Sequence, residues 1–156
     1  MFIWIMQFIV GLLVANAGEW LGHRYILHGW GQRADSFWAY HLYEHHVSAR
    51  QGKMLDSGYQ KYPKSWNSQA KEVLVLVLIL VLNWPFFYWA NGYACAIYFS
   101  MIAYYFVHRI AHSQPDWAKK HLAWHYQHHL VNDNANWCIT HPLFDYLMRT
   151  RCKNKS

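Results

Sequence analysis

The sequence predicts an all-α protein with about three apolar segments embedded in a membrane, carrying a cytoplasmic cap of short helices around a histidine-rich dimetal site. Three observations carry that expectation. The composition is 54% hydrophobic and 19% aromatic, far above the soluble norm. Three long stretches hold almost no charge, and twelve of the 156 residues are histidine. The near-neutral mean hydropathy misleads, because ten Trp, twelve Tyr and twelve His pull it down. Membrane proteins concentrate those residues at interfaces and in buried polar sites. At this length residues 1–156 form one domain.

The apolar stretches are residues 2–22, whose single charge is Glu19, and residues 73–90 and 92–107, which carry none. A helix rises about 1.5 Å per residue and needs roughly 20 residues to cross about 30 Å of hydrocarbon. The first stretch is long enough and the other two are slightly short. Asn91 and Gly92 separate those two as a tight hairpin, with Pro85 bending the first arm. The start also carries an A-x-A pattern at Ala15, Asn16 and Ala17. No Lys or Arg precedes it, so it is expected to continue as a helix toward His23 and not to be cleaved.

Charge sets the expected topology. All fourteen Lys and Arg lie within residues 24–71 or from Arg109 onward. By the positive-inside rule the N-terminus and the Asn91 tip face outward and the histidines face the cytoplasm. The formal net charge of +6 then reads as contact with anionic headgroups, and no nucleic acid partner is expected because no phosphate-binding motif appears.

Ten histidines fall into four clusters: His23 and His28; His41, His45 and His46; His108 and His112; His125, His128 and His129. Neutral imidazole is the commonest protein ligand for first-row transition metals, and ten exceed what one ion can hold. Two ions with four or five nitrogens each are expected. Neither a contiguous tag nor a low-complexity tract fits clusters spread over more than 100 residues. Residues four apart share a helical face, so His108 with His112, His41 with His45, and His125 with His129 can each converge on one ion. Adjacent residues are about 100° apart, so His45/His46 and His128/His129 suit helices lying between two ions. His23 and His28, about 140° apart on an α-helix, either serve different ions or sit on an unwinding or wider turn near Gly29 and Gly31.

The remaining ligands are expected on helices over residues 38–47 and 117–130, with Pro115 opening the second and Asp116 as its cap or first-turn acid. His121 lies on the ligand face of that helix. His141, before Pro142, is expected to be extended. Glu19, Glu44, Asp133 and Asp145 are candidates to accept the second ring N–H of ligand histidines. Cys95, Cys138 and Cys152 show no CxxC spacing and are expected to be reduced. No HExxH, GxSxG or phosphate-loop motif is present.

The order HRYILH at 23–28, HLYEHH at 41–46, HRIAH at 108–112 and HYQHH at 125–129 resembles the histidine boxes of the fatty acid hydroxylase and sterol desaturase superfamily. The stretch NWCITHPLFDYLMRT at 136–150 resembles the tail that follows the last box there, and the likeness covers residues 19–150. It implies a membrane nonhaem diiron oxygenase that hydroxylates or desaturates an alkyl C–H bond of a lipid, an acyl lipid or fatty acid. Its implied cofactors are two iron ions (Fe2+/Fe3+), with O2 as cosubstrate. The ten clustered histidines would be the ligands, with no catalytic residue beyond them. His141 would pack near the site as support or substrate contact. The chain has no room for a fused cytochrome b5 domain, so electrons would come from an external donor: ferredoxin, cytochrome b5 or a reductase.

HRYILHGWG also resembles bacterial β-carotene hydroxylase, which gives the alternative of a carotenoid ring hydroxylase. There the second box comes sooner than the twelve residues between His28 and His41 here. A different class of reading is a non-enzymatic membrane protein that binds metal or haem. A transporter would place ligands near the bilayer midplane and haem needs only two axial histidines.

Overall fold

The computed structural model describes residues 1–152, so Lys153 and Lys155, counted in the basic excess above, lie outside the described residues. Eight α-helices run in chain order: α1 (Phe2–Leu21), α2 (Val47–Gln51), α3 (Ser68–Asn83), α4 (Phe86–Trp89), α5 (Asn91–Ser113), α6 (Pro115–His121), α7 (Ala123–Leu130) and α8 (Leu143–Leu147). Wider π-helical turns occupy Gly22–Leu27 and His41–His46. No strand occurs among the described residues.

Among the described residues two helices, not three, are long and apolar enough to cross a membrane: the one beginning at Phe2 and continuing through the π turn, and α5. The second expected segment fails on length. Its 16-residue helix α3 is about 24 Å long, and the chain breaks at Trp84 and Pro85, because proline lacks the N–H that would continue the ladder. The short α4 follows, and at Ala90 (φ −145°, ψ 61°) the backbone leaves helical space before α5 begins. The reversal is therefore longer than a two-residue hairpin tip.

Helices α1 and α5 run parallel in close contact. A Cβ at Gly92 would lie 2.4 Å from the Trp4 carbonyl oxygen, and one at Gly11 would lie 2.6 Å from the Ala96 Cβ. Contacts thus advance along both helices in the same direction. Small residues at such a seam let two backbones approach, and the outer faces keep their large apolar side chains exposed: Ile5, Ile9 and Leu13 on α1, Phe99, Ile102 and Phe106 on α5. Helix α3 runs antiparallel to α5, since the Tyr98 hydroxyl donates to the Leu80 carbonyl while Gln69 meets Tyr105 nearer the other end.

The parallel arrangement delivers His23 and His108 to the same end of the pair. Around that end the remaining elements pack as short pieces. The expected helix over residues 38–47 divides into a 3-10 turn, a π segment and α2. That over 117–130 breaks at Leu122 (φ −128°, ψ 46°) into α6 and α7. Pro115 occupies the first turn of α6 and Asp116 is its first-turn acid. Leu122 is driven inward by apolar burial, forming a core with Met54, Ala111 and Ala118, and the break turns α7 relative to α6.

The Gly92–Trp4 approach yields a direct expectation. Gly92→Leu should destabilise the α1/α5 pair by about 1–3 kcal/mol through overpacking, read as a lowered unfolding midpoint in detergent, and an unchanged midpoint would remove this seam from the account of the fold.

Candidate metal centre

The ten clustered histidines are all buried. Nine of them form two groups in which the ligand atoms lie within 4.8 Å of one another: His23, His28, His41, His46 and His128 in one, His45, His108, His112 and His129 in the other. The tenth, His125, adjoins the second group, its Nε2 lying 3.1 Å from that of His112.

Each adjacent pair is divided between the groups. His46 and His128 face one, His45 and His129 the other, as the helical offset predicts. The expected pairing of His41 with His45 is overturned, because His41 sits with His46 instead. The reason is the π-helical turn, whose i→i+5 bonding brings residues five apart onto one face. His41 and His46 lie with their Nε2 atoms 3.2 Å apart. The same widening answers the question left open at His23 and His28. The His28 amide bonds the His23 carbonyl at 3.0 Å, and both rings enter one group.

Within the five-histidine group, Nε2 contacts run His23–His41 at 3.0 Å, then His41–His46, His46–His28 and His28–His128 at 3.2 Å each. Atoms bound at right angles, 2.0–2.1 Å from a common centre, are about 3 Å apart. The outer ring nitrogens decide what these inner atoms are. His23 Nδ1 lies 2.6 Å from the Trp137 carbonyl and His128 Nδ1 2.7 Å from the Ala135 carbonyl. A carbonyl only accepts, so in both neutral rings Nδ1 carries the proton and Nε2 presents a bare lone pair inward.

The second group is held differently. His45 Nδ1 meets Asp56 Oδ2 at 3.0 Å and His108 Nδ1 meets Glu72 at 3.0 Å, while His112 Nδ1 donates to the Met54 carbonyl at 3.0 Å. Tyr59 in turn donates its hydroxyl to Glu72. Met54 adopts φ 86° after Lys53 at φ 52°, a conformation a bulky residue rarely takes and one that costs of order 1–3 kcal/mol. The strained turn aims its carbonyl at His112.

Several inner atoms have no partner. His45 Nε2, His108 Nε2 and both ring nitrogens of His129 are buried and unsatisfied, a cost of about 1–3 kcal/mol per group that a bound cation would remove. The donor set therefore fits metal ions, and imidazole suits iron, zinc, copper and nickel alike. Burial holds the His41, His46, His125, His128 and His129 rings well below the ordinary histidine range, with neighbouring histidines adding to it. All five are neutral at pH 7, the protonation state a metal ligand needs.

The four acids named from sequence do not touch the histidines. Glu44 pairs with Lys71 and Asp133 with Arg50. Glu19 and Asp145 instead accept backbone N–H groups of the 137–140 tail. Asp56 and Glu72 do that work. Glu72 had one visible signal, as the only acid bordering an apolar run, whereas Asp56 and the backbone acceptors at Met54, Ala135 and Trp137 have no sequence signature. His121 joins neither group. It is exposed and lies against Trp117, ring centroids 5.2 Å apart, because the break at Leu122 takes α6 off the ligand face. His141 is also exposed, and its carbonyl accepts from the Asn16 amide at 2.8 Å.

An apolar cavity of about 310 Å3 opens between α1, α3 and α5. Its walls include Val14, Gly18, Ile79 and Ile97, and its inner end is formed by His23, Tyr40, Glu72 and Tyr104. The chain matches no family model, no curated protein and no solved structure.

Two outcomes are expected. His128→Ala should lower bound metal by at least one ion per chain, whereas His121→Ala should leave it unchanged; equal metal in both variants would refute the grouping. The second concerns acid. Because folding depresses the ring pKa values, the unfolded chain binds more protons, so stability is present above the ordinary histidine value near 6.5 and is lost below it. The melting temperature of metal-free protein should fall steadily from about pH 6.5 downward, and a flat profile from pH 7 to pH 5 would contradict neutral buried rings.

Proposed function

We propose that the chain is a membrane-embedded diiron oxygenase that hydroxylates or desaturates an unactivated C–H bond of a lipid, with O2 as cosubstrate and electrons from an external donor. The observation that carries this reading is the cavity. Its inner end is lined by His23 of the five-histidine group and by Glu72, the carboxylate that bonds His108 of the other. A carbon placed there lies beside the five-histidine group.

The cavity also bears on the substrate. Its α3 wall runs from Glu72 to Asn83, about 16 Å at helical rise, and the side chains along it are mostly aliphatic and aromatic, which suits an extended alkyl chain. A linear acyl chain can lie along this length. Gly18 and Gly22 leave the bore open, since a Cβ at either would meet nothing within 4 Å.

Two irons bound by the histidine groups would supply dioxygen activation and the oxidising power to remove hydrogen from an unactivated carbon. The residues of the chain supply position. Val14, Ile79, Ile97 and Met101 hold the chain and exclude water, which raises the effective concentration of one methylene at the site. Burial around the groups prevents loss of the oxidising equivalent to solvent. The two candidate spans and their exposed apolar faces support membrane placement, and the distribution of Lys and Arg favours a cytoplasmic histidine end. Both groups lie where α1 and α5 end, not midway along them, which favours an oxygenase over a transporter with a midplane site.

The test is lipid mass spectrometry of cells with and without the chain, expecting an acyl lipid that gains one oxygen or loses two hydrogens. Gly18→Phe should fill the bore and cut that product by about 100-fold while bound iron stays unchanged. Product on a carotenoid, or no product with iron fully bound, would refute the acyl reading.

A further inference from the structure

Four consecutive backbone amides, 137 through 140, are all taken by carboxylates. Trp137 and Cys138 donate to Asp145 Oδ1 and Oδ2, each at 2.8 Å. Ile139 and Thr140 donate to Glu19 Oε1 at 2.9 and 2.8 Å. The remaining lone pairs are also filled: Thr150 donates to Asp145 Oδ1 at 2.7 Å, and Thr140 Oγ1 and Asn16 Nδ2 donate to Glu19 Oε2 at 2.7 and 3.1 Å. Carbonyls of the same stretch point the other way. The Ala135 and Trp137 carbonyls receive the His128 and His23 rings, and that of Ile139 receives Trp124.

We propose that Glu19 and Asp145 are positioning residues that clamp the 135–140 tail so that its carbonyls orient His23 and His128, making metal binding by the five-histidine group depend on two acids that touch none of its histidines. This rests on the dimetal reading given above. Charge-assisted bonds to backbone N–H are about twice as strong as neutral ones, and without a carboxylate the buried amides would be left unpaired. The clamps therefore fix which edge of the tail faces the rings. A tail that rotates releases both Nδ1–H groups, and with them the tautomer and aim of two ligands. The four-histidine group is insulated, because its outer partners are Asp56, Glu72 and the Met54 carbonyl, on other segments.

Selectivity is the readout. Full-length protein in detergent would be titrated anaerobically with iron(II), with Mössbauer spectra resolving the two environments. Asp145→Asn and Glu19→Ala should weaken one of two bound irons about 10–100-fold and leave the other at wild-type affinity. Asp56→Asn, acting through His45, should weaken the iron whose signal those variants keep. Glu19→Gln retains Oε1 and hence both amide bonds in neutral form, so it should hold affinity well above that of Glu19→Ala and separates clamping from folding if Glu19→Ala is unstable. Equal weakening of both irons by Asp145→Asn, or no weakening of either, would overturn the clamp. Fewer than two irons in the wild-type chain would instead overturn the dimetal reading itself.

Discussion

Imidazole lone pairs converge here on two points inside a dry core, and most of the remaining architecture answers that constraint. Bare nitrogens 3.0–3.2 Å apart repel one another unless a cation lies between them, and a ring whose proton is held outward presents its lone pair inward. Every outward acceptor is therefore part of the same arrangement. The Ala135 and Trp137 carbonyls, the strained Met54 carbonyl, Asp56 and Glu72 each hold one ring N–H. A core of neutral imidazoles also has to exclude water, which is why short helices pack tightly over the end of the α1/α5 pair.

The helix geometry follows from the same demand. An α-helix places residues i and i+4 together, which serves His108 and His112 on α5. It cannot bring residues five apart onto one ion. Both places where the chain spaces ligands by five, His23–His28 and His41–His46, wind into π turns, the usual local form of a helix that inserts one residue at a functional position. In the second of these the insertion also leaves His45 facing the other group. One short segment thus bridges the two sites, and α7 does the same with His128 and His129.

How much of this was legible in the sequence varies with the kind of signal. Spacing by one or four residues was readable, because α-helical rotation per residue is a constant, and it correctly divides His45 from His46 and His128 from His129. The His41–His45 pairing failed because a π turn changes that constant and leaves no compositional mark. The second apolar segment falls short because composition reports burial or lipid contact without distinguishing a 16-residue arm from a full crossing. The acids were misassigned for another reason. A carboxylate near a histidine box in sequence, such as Glu44, points wherever its helix turns it, whereas Asp56 reaches His45 only after the loop between α2 and α3 folds back. Backbone acceptors are invisible in principle, since every residue has a carbonyl.

The two groups differ in what stands behind them, and the difference bears on how the site works. Backbone dipoles support the five-histidine group, while two carboxylates stand behind the other, whose imidazoles are the more basic for it. A metal ion held by the carboxylate-backed group would be the better stabilised in a higher charge state, because the adjacent anions would offset the added charge. The apolar cavity reaches the five-histidine group directly through His23 but meets the other only through Glu72. On the proposed oxygenase reading, substrate would approach the group held by neutral partners, the more electron-poor of the two. Glu72 borders the bore and bonds His108 and Tyr59. If both groups hold metal, Glu72 links the bore to the second, since it lines the cavity and bonds His108.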